Sequence, residues 1–235
     1  MSPPVSSITR LTGGAAVNSH PNWAQSFIAF DTETTGLETE GPDASLIVTA
    51  AAVTFTNGTV AHERSWLLRV SDIPAESTAI HGVTTETSQA EGVDPSIALL
   101  EIRKVLTADD VPIVCFNAAF DIPILNANLA RVGLDPLPEN RSLCPLVIDR
   151  QMNPYVRGAN QRRLEPTAAR YGITVDQWHD AGADATVAGL IFIAEVAAYP
   201  ALTKGTFDEL ATSIHIWRDE QDASFRAWLA RQPPR

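Results

Sequence analysis

The pattern of apolar and polar positions predicts strands in the first part of the chain and mostly helices after it. Residues 26–30 form a short apolar run, and residues 46–55 form a longer run rich in β-branched side chains. Asn57-Gly58 after the second run is a strong hairpin signal, so residues 60–68 are predicted to form the partner strand. The chain is therefore expected to begin with a three-stranded antiparallel meander.

The remainder alternates between a strand pattern and helical periodicity. Residues 111–116 are apolar throughout and predict a central, buried strand. Residues 141–149 predict a strand that enters a short helix, whereas residues 73–86 are predicted to be irregular. Helical spacing of apolar residues predicts helices at residues 95–106, 119–132, 162–171, 183–198 and 206–230. A meander followed by β–α alternation indicates an α/β fold with a mixed sheet flanked by helices.

Composition divides the chain into three predicted parts. Residues 1–25 are rich in Ser, Pro, Gly and Ala, lack the features of a signal peptide, and are predicted to be a mostly disordered leader. Residues 26–200 are predicted to form the globular domain, and residues 201–235 a C-terminal amphipathic helix. No apolar run approaches about 18 residues, so no membrane span is expected. The two cysteines, without a CxxC spacing, favour a reduced, cytoplasmic setting.

The net charge of −11 limits the kinds of nucleic-acid binding that this chain could support. Proteins that hold a duplex through many phosphate contacts usually present a basic face, so an extensive, non-specific duplex binder is not favoured. An enzyme that grips only a few terminal nucleotides remains compatible with this charge, because bound cations reverse the local sign of an acidic site.

Acidic residues occur where strands and helices are predicted to begin or end. Asp31 and Glu33 follow the first apolar run, and their spacing of two places both side chains on one face of a strand. Asp121 falls in the first turn of a predicted helix, and Asp184 falls near the start of another. Carboxylates beside apolar sequence are costly unless positive charge compensates them, and divalent cations prefer oxygen ligands.

Each of these residues also has a purely structural interpretation. Asp31 could cap the following turn while Glu33 is solvated, Asp121 could be a first-turn acid that suits the helix dipole, and Asn117 could cap the same helix. A lone loop histidine such as His179 is usually just exposed.

The spacing of His179 and Asp184 adds a condition to the predicted site. On one continuous helix, residues five apart point in directions about 140° apart. The two side chains therefore converge only if His179 lies on a loop and Asp184 lies in the first turns of the helix that follows. Gly182 is interpreted as a flexible lead-in to that helix, and Asp180 as a cap or a solvated residue.

Three motifs in this order resemble those of a known enzyme family. Phe-Asp-Thr-Glu-Thr-Thr-Gly-Leu at residues 30–37, Asn-Ala-Ala-Phe-Asp at residues 117–121 and His-x-x-x-x-Asp at residues 179–184 resemble the DEDD superfamily of 3′–5′ exonucleases. The histidine indicates the DnaQ-like branch, because the sister branch has Tyr four residues before the last Asp, where this chain has Asp180. His-Gly-Val at residues 81–83 resembles a further element of that branch.

The resemblance covers about residues 26–197 and implies a fold, a cofactor and a site. The fold is an RNase H-like mixed five-stranded sheet flanked by helices, and the cofactor is a pair of Mg²⁺ or Mn²⁺ ions. His179 is the implied general base. The implied metal ligands are Asp31, Glu33, Asp121 and Asp184. The implied substrate contacts are Thr32, Glu33, Thr34, Leu37, His81 and Asn117. For Leu37 the alternative is core packing, and for His81 a hydrogen bond that stabilises a turn.

The predicted function is therefore a 3′–5′ exonuclease that releases 5′-mononucleotides from single-stranded DNA in proofreading, repair or nucleotide turnover. One alternative is an exoribonuclease acting on RNA ends or short RNA, since the 2′-OH contacts that distinguish RNA cannot be located from sequence. Another is a non-catalytic subunit that docks a polymerase or other replication protein through the C-terminal helix. The presence of all five chemical residues argues against the latter.

Overall fold

The computed structural model describes residues 20–138, 141–158, 160–175 and 179–232. Residues 1–19, most of the predicted leader, lie outside this part. Within the rest of the predicted leader, Asn22–Ala24 form a 3₁₀ turn in which Ala24 is buried and Trp23 packs against the core. Residues 22–24 therefore pack with the domain, although they fall within the predicted leader.

An antiparallel meander forms one half of the sheet. Its strands are β1 (Phe27–Thr34), β2 (Ile47–Thr56) and β3 (Thr59–Leu67). Asn57 and Gly58, both with positive φ, connect β2 to β3 as the hairpin signal predicted. β1 runs four residues beyond its predicted end, because its ladder with β2 continues through the polar residues up to Thr34.

Two short parallel strands complete the sheet. β4 (Ile113–Val114) pairs with β1, and β5 (Ser142–Leu143) pairs with β4. The strand order in the described sheet is β3-β2-β1-β4-β5. This arrangement confirms the predicted RNase H-like fold, a mixed five-stranded sheet with helices around it.

The helices agree with the predicted pattern except between β3 and β4. They are α1 (Ala75–His81), α2 (Thr85–Glu91), α3 (Pro95–Thr107), α4 (Ala118–Arg131), α5 (Pro145–Met152), α6 (Leu164–Arg170), α7 (Ala181–Ala198) and α8 (Phe207–Leu229). The prediction that residues 73–86 are irregular was wrong. Both helices there are short, so apolar periodicity is weak. Local capping defines them: Gly82 ends α1 in the left-handed conformation, and Thr84 Oγ1 accepts a hydrogen bond from the Thr87 N–H.

The helix α7 packs against β1 and β2 as the central core helix. Phe27 and Phe192 meet edge to face at 5.2 Å between ring centroids, and Gly189 lies against the ring of Phe55. α7 is also long and apolar enough to span a membrane by length and composition, with a mean hydropathy of 1.6, although 67% of it is buried within the protein. Asp184 and Glu195 fall inside this helix, so its sequence contains no uninterrupted apolar run of about 18 residues.

The helix α8 packs beside α5 and β5. Thr206 and Glu209 form a reciprocal capping box at its start, and Leu210 and Ile214 are buried against the body of the protein. Farther along, the Gln221 side chain donates a hydrogen bond to the carbonyl of Val147 in the first turn of α5. The helix predicted at residues 206–230 therefore forms as α8, and its residues up to Gln221 contact the domain.

Close approach of α7 to β2 generates the first prediction. A Cβ added at Gly189 would lie 2.6 Å from Cζ of Phe55, so Gly189→Ala must displace a buried ring. We expect a loss of about 1–3 kcal/mol in the free energy of unfolding, measured by urea denaturation. The matched control is the same substitution in a Phe55→Leu background, where the smaller side chain leaves room. An equal loss in both backgrounds would contradict the packing explanation.

Candidate active site

The site is built where β1 extends past its parallel neighbour. β4 pairs with Ile28 and Ala29 only, whereas the antiparallel ladder between β1 and β2 continues to Thr34. Within the described residues, the segment from Asp31 onward thus has a strand on one side only. The chain that leaves β4 turns at Asn117 into α4, which begins beside this open stretch of β1.

The side chains of β1 alternate between the two faces of the sheet and therefore face two different helices. Asp31 and Glu33 share a face with Phe27, which contacts Phe192 of α7. Thr32 points to the opposite face, where its hydroxyl donates a 2.9 Å hydrogen bond to Oδ1 of Asp121 on α4. Both partners of this bond are buried. The Thr32 side chain is therefore engaged with a carboxylate, a contact that sequence reasoning missed because it joins residues 89 positions apart.

The start of α7 supplies the remaining residues. His179 lies on the preceding loop with a φ of 61°, and Asp184 lies in the first turn of the helix. The ligand atoms of Glu33, His179 and Asp184 all lie within 4.8 Å of one another. This is the loop-then-helix arrangement that the five-residue spacing required. Asp180 caps the helix, as one of its interpretations stated, by accepting a 3.0 Å hydrogen bond from the Ala183 N–H.

Gly182 is not the flexible lead-in predicted from sequence. It is the second residue of α7 and has helical surroundings. A Cβ at this position would lie 3.2 Å from the carboxyl carbon of Glu63 on β3 and 3.2 Å from Oδ1 of Asp180. Glycine therefore permits two acidic side chains to approach the first turn of α7. The sequence pattern did not reveal this close approach because Glu63 lies on a distant strand.

The carboxylates interact unfavourably with one another. Burial raises the pKa of Asp31 well above its usual range, and the charges of Asp121, Asp184 and Glu33 raise it further. Burial, followed by the charges of Asp184 and Asp121, raises the pKa of Glu33 to about 7. These shifts mean that the folded protein holds crowded acidic groups without enough positive charge around them.

The pKa values of Asp121 and Asp184 are also raised, but a favourable contact partly opposes each shift. Burial raises the pKa of Asp121 to about 7, although the Thr32 hydrogen bond opposes the shift. Burial also raises the pKa of Asp184 to about 6, and the nearby charge of His179 opposes it. Asp180 adds a further negative charge that raises the pKa of Asp31, Glu33 and Asp184.

This donor set fits a divalent cation. Oδ1 of Asp184 is buried and makes no hydrogen bond to any described residue. Every ligand candidate is a carboxylate oxygen or an imidazole nitrogen, and crowded oxygen donors with raised pKa values are suited to hard cations such as Mg²⁺ or Mn²⁺. A bound cation would satisfy the orphaned oxygen and neutralise the mutual repulsion.

The predicted substrate residues lie around the end of β1. Leu37 is 85% exposed, so the alternative of core packing was wrong for it. The Thr34 hydroxyl donates a 2.7 Å hydrogen bond to the carbonyl of Gly36 and thereby shapes the turn. Asn117 occupies the N-cap position of α4, but its exposed side chain makes no capping bond, so that alternative was also wrong. The roles of these residues in substrate binding stay predictions.

His81 lies beside this turn at the end of α1. Its Nδ1 accepts a 3.2 Å hydrogen bond from the Val83 N–H, which confirms the predicted turn-stabilising contact. Its Nε2 is buried and has no hydrogen-bond partner among the described residues. Burial lowers the pKa of His81, while the backbone of Thr34 partly opposes that change. The structure thus brings the His-Gly-Val element at residues 81–83 next to the end of β1.

The fold and the arrangement of acids around β1 define an RNase H-like nuclease. Comparison with known proteins gives the family: a family model for RNase T, described as "Exonuclease", matches residues 28–192. The chain therefore belongs to the DnaQ-like exonuclease family. A DNA polymerase III PolC-type from Streptococcus pyogenes is 28% identical over 168 residues, which cover 71% of this chain but only 11% of the polymerase.

Solved structures with the same fold include two exonucleases. E. coli exonuclease I in complex with a dA16 oligonucleotide is 20% identical, with a TM-score of 0.67 over 80% of this chain and 43% of that chain. Exonuclease X in complex with 5′ overhanging duplex DNA is also 20% identical, with a TM-score of 0.59 over 80% of this chain and 99% of that chain. At 20% identity, the similarity between these structures and this protein is a similarity of fold alone.

The raised pKa values predict how stability depends on pH when cations are removed. A carboxyl whose pKa is raised by folding stabilises the folded state below its unfolded pKa, near 4, and loses that contribution as pH rises through its folded pKa. For Glu33, Asp121 and Asp184 the loss falls between about pH 4 and 7. In chelator, the melting temperature should therefore fall from pH 5.5 to pH 8, and Mn²⁺ should reduce that fall.

One substitution distinguishes the contribution of the site acids to this pH dependence from that of other buried acids. Glu195 in α7 is buried, and burial raises its pKa well above the usual range, so it contributes to the same trend. Asp121→Asn should melt higher than wild type at pH 8 in chelator, because one repelling charge is gone, and should gain less from Mn²⁺. The exposed Asp72→Asn serves as the control. Identical melting curves for Asp121→Asn and wild type would contradict the proposed repulsion.

Proposed function

We propose that this protein is a 3′–5′ exonuclease that removes 5′-mononucleotides from the 3′ end of single-stranded DNA with the help of two divalent cations. The observation that carries the proposal is the convergence of Glu33, His179 and Asp184 within 4.8 Å, beside Asp31 and Asp121. The family assignment supports nuclease chemistry, while direction, substrate and cation requirement belong to the proposal.

The four acids are the residues that would hold the cations. Asp31 and Glu33 come from one face of β1, Asp121 from α4 and Asp184 from α7, so cation binding ties together three separate elements. Divalent cations in such a site lower the pKa of the attacking water and stabilise charge on the leaving oxygen. Thr32 holds Asp121 in a fixed orientation, so this carboxylate is ordered before any cation arrives.

In this proposal, His179 acts as the general base. Its side chain is exposed on the loop that precedes α7, so solvent and substrate can reach it, and it lies beside Glu33 and Asp184. An imidazole can accept the proton of a water molecule at neutral pH. The left-handed backbone at His179 fixes the direction from which its side chain approaches the acids.

The substrate end would lie over the turn that follows β1. Leu37 offers an exposed apolar side chain for the terminal base, and His81 lies next to Thr34. A DNA substrate is supported by the relationship to a PolC-type DNA polymerase and by the DNA bound to the structural neighbours. A role beside a polymerase or other replication protein remains a further part of the proposal.

Cation dependence and direction give the next prediction. Wild-type protein should release mononucleotides from 5′-labelled single-stranded DNA with Mg²⁺ or Mn²⁺, leaving a ladder of progressively shorter labelled products. Excess chelator should stop release, because four uncompensated acids repel the substrate phosphate. The same assay with labelled RNA tests the exoribonuclease alternative. Undiminished release in chelator would contradict the two-cation site, and immediate release of a labelled mononucleotide would contradict the direction.

The role of His179 is tested separately. His179→Ala should lower kcat by about 10²–10⁴, because the attacking water loses its proton acceptor. Binding of Mn²⁺ should change much less. His62→Ala is the matched control, since this histidine is exposed on the edge strand β3. Wild-type turnover in His179→Ala would move the general-base role to another residue, and Asp180, which also caps α7, would be the next candidate.

A further inference from the structure

The last turns of α8 extend beyond the body of the protein. Leu210, Ala211 and Ile214 are buried, but every residue from 223 to 232 is exposed. The last tertiary hydrogen bond that α8 makes among the described residues is the one from Gln221 to Val147. The helix therefore continues for about two turns past its last tertiary hydrogen bond.

This free end points to the same edge of the sheet as the candidate active site. Near its start, α8 shares a cavity with Met152 at the end of α5, whereas Gln221 reaches Val147 in the first turn of α5. The two helices are thus antiparallel. Because α5 begins directly after β5, the free end of α8 leaves at the carboxyl ends of the parallel strands, the edge where Asp121 lies.

The free end carries an exposed aromatic pair. Phe225 and Trp228 are 58% and 50% exposed, and their rings stack at 5.8 Å between centroids with an interplanar angle of 17°. At 100° per residue they continue the helix face formed by Ile214 and Gln221, which packs against the domain. A face that is packed along most of α8 thus becomes solvent-exposed at its end.

The charge of this end is opposite to that of the whole chain. Past Gln221, the described residues contain Arg226 and Arg231 against one acidic residue, Asp222, whereas the protein carries a net charge of −11. Neither arginine makes an ion pair with a described residue. Arg226 lies between the two aromatic residues in α8, and Arg231 follows the C-cap of the helix, where its Nε donates a 3.0 Å hydrogen bond to the carbonyl of Ala227. An aromatic pair accompanied by two cations matches a single nucleic-acid strand, whose bases stack on rings and whose phosphates pair with arginine.

We propose that this end of α8 binds the single-stranded DNA that leads to the 3′ end, several nucleotides before the site of cleavage. The inference rests on the proposed function and identifies a second contact with the same substrate. The acidic site attracts phosphate only when cations are bound, so a basic and aromatic anchor at the same edge holds the strand in place. If this end of α8 instead binds a replication protein, the tests below give a different result.

Substrate length tests the aromatic contact. Under this proposal, a 20-nucleotide DNA contacts both the active site and the end of α8, whereas a trinucleotide occupies only the active site. For Phe225→Ala/Trp228→Ala we expect KM for the 20-mer to rise about tenfold with unchanged kcat, and kinetics on the trinucleotide to stay at the wild-type value. Ile216→Ala is the control, because Ile216 is 53% exposed on another face of α8. All of these positions are exposed, so folding should be retained.

Salt dependence tests the two arginines. The slope of log KM against log salt for the 20-mer should become shallower by about 1.4 in Arg226→Gln/Arg231→Gln, since each phosphate contact to a single strand contributes about 0.7. Unchanged KM and slope in both double variants, with an active wild-type enzyme, would overturn the proposal and leave this end for a protein partner. A wild-type protein that degrades neither DNA would instead refute the proposed function.

Discussion

Electrostatic repulsion among four carboxylates at the end of β1 is the constraint on which the rest of the site depends. Asp31, Glu33, Asp121 and Asp184 come from three elements, and burial together with mutual repulsion raises the pKa of the first two. A fold gains nothing from such crowding in the absence of cations. The repulsion is relieved either when some of the acids take up a proton, which the raised pKa values favour, or when positive charge is bound there, which the proposed cations would supply.

The fold creates this crowding through a difference in strand length. β4 stops opposite Ala29, so on that side β1 continues beside α4 rather than beside another strand. The side chains of β1 alternate between the two faces of the sheet. On one face of the sheet, Asp31 and Glu33 face α7. On the other face, Thr32 orients Asp121 through a hydrogen bond. The same edge receives the free end of α8, so the proposed catalysis and the proposed binding of the strand would share one edge of the sheet.

Much of this could be predicted from sequence because the chemistry lies in local motifs. The hairpin, the mixed sheet, α7 and the loop position of His179 follow from turn signals, periodicity and spacing. The remainder depends on contacts between distant residues. The Thr32–Asp121 bond and the approach of Glu63 to Gly182 have no local signature, and short capped helices such as α1 lack sufficient periodicity to be recognised.

The most direct test of the central claim is the number of Mn²⁺ ions bound by the metal-free protein, measured by equilibrium titration with free Mn²⁺ followed by electron paramagnetic resonance. The account predicts two ions per chain for wild type and weaker binding, or fewer ions, for Asp31→Asn, because Asp31 is the acid most crowded by the other three. Absence of binding at millimolar Mn²⁺, or binding that Asp31→Asn leaves unchanged, would contradict the claim that these carboxylates form one cation site.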